Sequence, residues 1–211
     1  TMQCAGGAYD WLERLLRGEA EAKLYDELEA AASTVAPGSG GLLFLPYLIG
    51  ERSPHWNPLA RGAFVGLTMA HGRPEMARAV LEGVALNLKL ILEAFQDQGA
   101  GIGAMRLIGG GARSALWRQI LADVYGLPIL RPHLLAEATS LGAAMAGGVG
   151  VGLLSGYEVA HELVRMEAGE QPDPGARRQY AALHDLHRQT YGSLVPVFDG
   201  LASLTTGSPA A

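Results

Sequence analysis

The stretch Leu107-Ile108-Gly109-Gly110-Gly111-Ala112-Arg113-Ser114-Ala115-Leu116-Trp117 sets three glycines between an apolar run and a helix-patterned segment. A strand that passes into a helix through so few residues, with further helices on either side, points to an α/β domain. In open α/β sheets, ligands sit beyond the carboxyl end of a strand, where the chain turns into a helix. Backbone lacking Cβ atoms lets a ligand approach closely and permits positive φ. The free N–H groups of the next helix, and its positive dipole end, face the same place. Ser114 can cap that helix or offer a hydroxyl to a bound group. A tight turn with no ligand would use the same glycines, and neither standard nucleotide fingerprint is present. The dinucleotide pattern G-x-G-x-x-G needs glycine where Ser114 stands, and G-x-x-x-x-G-K-[ST] occurs nowhere in the chain.

The surrounding pattern supports an α/β chain with at least part of its sheet parallel. Residues 8–16 and 19–32 read as helices, 42–48 and 62–69 as strands, and 105–108 and 127–130 as further short strands. The clearest helix follows Pro74, where Met76, Val80, Val84, Leu88, Ile91 and Phe95 make one apolar stripe. A helix is expected over 114–125, with Leu116, Trp117, Ile120, Leu121 and Val124 inward, so Trp117 reads as core. Thr139 or Ser140 can cap a small-residue helix lying buried against the sheet. Residues 171–175 read as a linker before a final helix over 176–198, and the end of the chain, 201–211, as a disordered tail.

Composition excludes more than it selects. With 49% hydrophobic and 18% charged residues the chain is globular rather than disordered. Its net charge of −5 gives no basic stripe for nucleic acid. The single cysteine, Cys4, excludes an internal disulfide and reads as an inert thiol, which fits a cytoplasmic protein. The uncharged stretch 138–157 raises the question of a membrane span, but six of its twenty residues are glycine, which favours a buried helix and no membrane. A chain that opens on Thr1 reads as a fragment.

Three motifs resemble the FGGY family of carbohydrate kinases. The glycine turn with Ser114, Trp117 and Gln119 is similar to the family's adenosine motif. Gly62-Ala63-Phe64-Val65-Gly66-Leu67, followed after seven residues by Glu75-Met76-Ala77-Arg78-Ala79-Val80-Leu81-Glu82, fits its C-terminal signature. Ala5-Gly6-Gly7-Ala8-Tyr9-Asp10-Trp11 matches its A-G-x-x-x-[QD]-W segment. Together with the stretches around residues 45–58 and 137–147, the likeness is closest to the xylulokinase branch.

The resemblance implies an actin/hexokinase/ribonuclease H-like ATPase domain, a mixed sheet with flanking helices, over residues 1–200. It implies ATP and Mg²⁺ as cofactors, with Gly6, Asp10, Gly109, Gly110, Gly111 and Ser114 around the nucleotide. Gly110 would lie against ribose and α-phosphate, and Ser114 would replace an asparagine that touches adenine in related kinases. The magnesium would be held by ATP oxygens and water. The aspartate base, most sugar contacts and a G-T-[ST] phosphate turn belong to the family's N-terminal portion, so no catalytic residue is expected here. The chain alone is expected to be inactive, and an apolar face left uncovered favours a homodimer. Two other classes remain open at this point: a non-catalytic nucleotide-binding module, and a nicotinamide-dependent oxidoreductase. The second is disfavoured by the missing third glycine and the lack of an acidic residue about twenty positions on.

Glu51 and Arg52 read either as groups reaching a ligand cleft or as an ion pair bracing their loop. His184 and His187, three apart, read as a solvated helix face rather than metal ligands.

Overall fold

A computed structural model describes residues 2–18 and 24–206. Its elements run α1 (Gly6–Arg17), α2 (Tyr25–Ser33), β1 (Leu43–Leu45), β2 (Ala63–Val65), α3 (Arg73–Asp97), β3 (Met105–Arg106), α4 (Ala115–Tyr125), β4 (Ile129–Pro132), α5 (Ala138–Gly150), α6 (Ala160–Leu163), β5 (Met166–Ala168) and α7 (Pro174–Thr206). Strands β1 and β2 pair antiparallel, Phe44 opposite Phe64. The second sheet is mixed, in the order β3-β4-β5, with β3 parallel to β4 and β5 antiparallel to it.

The long helix α3 is the hub, packing on α1, α2, α4 and β1. Its start is set by Glu75, whose carboxylate accepts the Gly72 N–H at 2.8 Å, and by Pro74 in the first turn. Gly83 lets α3 lie directly on β1, because a Cβ there would overlap the Phe44 carbonyl oxygen. Next to it two charged residues outside the expected apolar stripe also turn inward. Arg78 and Glu82, 5% and 3% exposed, pair at 2.7 Å. Glu82 also accepts from Gly38 N at 2.9 Å, the Ser39 hydroxyl at 2.8 Å and the Tyr180 hydroxyl at 2.7 Å. Arg78 donates to the Val35 carbonyl at 2.7 Å and to the Tyr180 hydroxyl at 3.0 Å. One carboxylate thereby ties the 38–39 loop, α3 and α7 together.

Several expectations change. Of the helix expected over 19–32, residues 19–23 lie outside the described set and α2 begins at Tyr25. The fourth strand is shifted two residues, to Ile129–Pro132, since Arg131 and Pro132 pair with β5, an element absent from the sequence reading. The linker is shorter: α7 starts at Pro174, with Asp173 Oδ1 accepting from Ala176 N at 2.7 Å. That helix continues through Leu201 to Thr206, residues assigned to the tail, because Phe198 and Ala202 bury their side chains. The tail's remaining residues, 207–211, lie outside the described set. Helix α5 is preceded by Glu137, not by Thr139 or Ser140, and none of its residues is buried. No helix among the described residues is long and apolar enough to cross a membrane.

The histidines of α7 are the largest departure. His184 and His187 are 4% and 0% exposed, not solvated. His187 lies near His184 and His55, and His55 stacks on Tyr191 with centroids 3.6 Å apart. Neither ring nitrogen of His187 has a hydrogen-bond partner among the described residues. Among the described residues no group of three or more His, Cys, Asp or Glu side chains converges as a metal site. Burial lowers the pKa of His187 to about 3 and those of His55 and His184 to about 4, with the neighbouring His184 and His55 adding to the effect at His187.

Candidate functional site

The parallel strand β3 delivers the chain to the glycine turn. Leu107 N still donates to the Leu130 carbonyl at 2.8 Å, so the sheet holds the turn's entry. Gly110–Arg113 forms a single 3-10 turn, and Ser114 then caps α4, its hydroxyl accepting from Trp117 N at 2.9 Å. As expected from its pattern, α4 buries Ile120, Leu121 and Val124, and Trp117 packs against the core.

The three glycines are glycine for different reasons. Gly109 has φ +84°, a left-handed conformation that side chains resist. Gly111 lies against the Trp117 ring, where a Cβ would stand 2.7 Å from Cζ3. Gly110 has neither constraint: its φ is ordinary and an added Cβ would meet no atom of the described residues within 4 Å. Nothing inside the described protein asks for glycine at 110, and the position is exposed.

Behind the turn, Arg118 fixes its exit. The guanidinium donates to the Ala112 carbonyl at 2.6 Å and the Arg113 carbonyl at 3.1 Å, and pairs with Glu170 at 2.8 Å. Partial burial opposes the charge on Glu170, but Arg118 outweighs it and holds that carboxyl below its ordinary range. Sequence reading missed both residues. Arg118 sits one helical turn after Ser114, which is a usable signal, whereas Glu170 is 52 residues from it and carries none.

Gly6 and Asp10 lie on α1, Gly6 as its first residue and Asp10 exposed one turn on. An added Cβ at Gly6 would also meet nothing within 4 Å. Helix α2 links α1 to the glycine turn. Tyr9 packs on Tyr25 with centroids 5.8 Å apart, and Glu29, one turn beyond Tyr25, accepts from the Ser114 hydroxyl at 2.8 Å. Ser114 therefore spends its proton on Glu29 and one lone pair on its own helix.

Glu51 does not pair with the Arg52 side chain. It is 3% exposed and accepts from Gln3 N at 2.8 Å, Arg52 N at 2.8 Å and the Asn87 side chain at 2.9 Å. Its work is to fix the loop to the chain's start and to α3. Cys4 is buried, and burial, with help from Glu51 and Asp10, raises its pKa. A cavity of about 740 Å³ is lined by Arg106, Ile108, Leu141, His161 and Arg165 among others, but by none of the three glycines or Ser114.

Residues 1–151 match the model of the C-terminal domain of the FGGY family of carbohydrate kinases. The chain belongs to the FGGY family. A gluconokinase of Bacillus subtilis is 36% identical over 181 residues, 85% of this chain and 33% of that protein. A glycerol kinase of Myxococcus xanthus is 39% identical over 181 residues, 84% of this chain and 36% of its own length. The crystal structure of a ligand-bound xylulose kinase from Lactobacillus acidophilus superposes with a TM-score of 0.82 at 29% identity, covering 95% of this chain and 40% of that one. The chain thus spans about a third of the length of the curated relatives it matches. Its fold is the actin/hexokinase-like ATPase fold of FGGY kinases, and membership in a family of ATP-dependent phosphotransferases replaces the nicotinamide reading of the turn.

The family signature now has a physical content. Arg78 and Glu82, two of its residues, are the buried pair, and Glu75 is the cap of α3. They build the scaffold behind the turn rather than the turn itself.

Proposed function

We propose that this chain is the ATP-binding part of a sugar kinase that transfers the γ-phosphate of MgATP to a pentulose, D-xylulose. The observation that carries the reading is Gly110, a glycine at the carboxyl end of a parallel strand that the described residues do not themselves require. A nucleotide lying against that backbone supplies the missing reason, with Gly109 and Gly111 shaping the turn and α4 offering its N-terminal dipole to the phosphates. Gly6 and Asp10 on α1 would approach from the other segment. The residues described here supply no carboxylate cage, so magnesium would be held by ATP oxygens and water. Bound there, it would neutralise charge on the transferring phosphoryl group.

The sugar assignment rests on the stretch Leu45-Pro46-Tyr47-Leu48-Ile49-Gly50-Glu51-Arg52-Ser53-Pro54-His55-Trp56, which resembles the xylulokinase branch. Gluconokinase and glycerol kinase relatives mark the competing acceptors. The base and the sugar contacts would come from the family's N-terminal portion, in a cytoplasmic enzyme whose two domains close over the substrates. Two assays test this. The 211-residue chain, given MgATP and D-xylulose, is expected to form no sugar phosphate; turnover would contradict the division of labour. The complete kinase is expected to prefer D-xylulose over gluconate and glycerol, and the reverse order would overturn the sugar assignment.

A further inference from the structure

We infer that the cavity of about 740 Å³ is a second binding site, for a small molecule that joins an anionic head to an apolar body. The sheet in the order β3-β4-β5 has two faces. Met105, Leu107 and Ile129 take one of them and pack on the core. Side chains alternate along a strand, so residues two apart share a face. Arg106 with Ile108, Pro132 with Leu134, and Val164 with Met166 are such pairs, and all six line the cavity. The first two pairs stand at and beyond the carboxyl ends of the parallel strands β3 and β4, where α/β sheets place ligands. Leu141 of α5 and Ala160 of α6 face the same space, yet neither helix buries a residue. This face of the sheet is therefore roofed but not filled. The space lies within the roughly 300–1,000 Å³ of small-molecule sites. None of the three glycines and not Ser114 lines it, so it is separate from the proposed nucleotide site.

The charges choose the head of the ligand. Arg106 and Arg165 come to the cavity from opposite sides of β4, and neither guanidinium has a carboxylate partner among the described residues. Arg131, on the strand between them, is taken by Glu167 at 3.3 Å. His161 adds a further nitrogen, and Glu162 is the carboxylate among the lining residues. Two guanidinium groups against one carboxylate leave a local positive excess in a chain whose net charge is −5. The planar fork of arginine fits a carboxylate or a phosphate. An inorganic anion alone would leave the floor of Ile108, Leu134 and Met166 wet. A hydrocarbon alone would leave both arginines unpaired. A ligand carrying both parts answers the whole lining.

The test is isothermal titration with octanoate below its micellar concentration, with octanol as the same body on a neutral head. The 211-residue chain should bind one octanoate, at least tenfold more tightly than octanol. Arg106→Gln with Arg165→Gln should remove that advantage and leave octanol binding unchanged. Leu141→Trp, which fills the cavity from α5, should weaken both compounds, and thermal melts should show that every variant is folded. Equal binding of octanoate and octanol by wild type, or an undiminished advantage in the double variant, would overturn the inference. Displacement of octanoate by MgATP would also overturn it, by merging the cavity with the nucleotide site. The complete kinase should bind octanoate as the chain does. Loss of binding there would show that the rest of the enzyme covers this face, and would overturn the inference while leaving the ATP site standing.

Discussion

Replacing Glu82 by alanine is expected to lower the stability of the chain by about 3–5 kcal/mol, the cost of breaking a buried charge pair from one side. Arg78 would be left 5% exposed with its partner gone, and the hydrogen bonds from Gly38, Ser39 and Tyr180 would lose their acceptor. The burial of both side chains is what makes the effect large; the same pair on the surface would contribute at most about 1 kcal/mol. Removing both charges, as in Arg78→Met with Glu82→Leu, is expected to cost less than the sum of the two single changes. Urea unfolding of the wild type, Glu82→Ala, Arg78→Met, Glu82→Leu and the double variant measures this. A loss under 1 kcal/mol for Glu82→Ala would mean that the network is not holding α3 to α7.

Acidification is expected to have the second large effect. His187 has a folded-state pKa of about 3 against an ordinary value of about 6.5 in an unfolded chain. The unfolded state therefore binds the extra proton first. The stability associated with the neutral ring is complete above pH 6.5 and is lost as pH falls from there toward 3. At pH 5 the loss from His187 alone is about 2 kcal/mol, at 1.36 kcal/mol per pH unit. His55 and His184, both near 4, act in the same direction and over the same window. The groups facing His184 are Lys89 and Arg188, which oppose its protonation, and Asp185 and Glu93 on the other side of the balance. His187→Leu removes two unpartnered nitrogens while keeping most of the volume, so it should be neutral or stabilising at pH 7.5. It should also make the fall in unfolding free energy between pH 7.5 and pH 5, read from urea titrations, shallower by about 2 kcal/mol. An unchanged slope would contradict the burial of His187.

The parts of the fold that local chemistry controls were legible. The stripe from Met76 to Phe95 marks α3, and the glycines followed by Ser114 mark the strand, turn, cap and helix in register. The parts set by distant partners were not. His184 and His187 look polar on an exposed-looking helix, and only their burial in the folded chain, with His55 brought near His187 from more than a hundred residues away, shows that they are core. Strand β5 is three residues long and owes its conformation to pairing with β4. Helix α5 misled in the opposite sense: its small apolar residues suggested burial, yet none of them is buried.

The site divides along the same line. Glycine positions and the cap could be named from sequence, whereas which glycine serves backbone, packing or ligand depends on the Trp117 ring and a φ angle. Glu29 and Glu170 meet Ser114 and Arg118 from 85 and 52 residues away, beyond the reach of any local pattern.

The most direct measurement is MgATP affinity of Gly110→Ala beside its unfolding stability. Since an added Cβ meets no atom of the described residues there and φ is ordinary, stability should hold or rise by about 0.4–1 kcal/mol. Affinity for MgATP should fall at least tenfold, because the methyl group would occupy the space the nucleotide needs. Unaltered affinity with unaltered stability would mean that no ligand rests on Gly110, and the glycine turn would then be a feature of the fold alone.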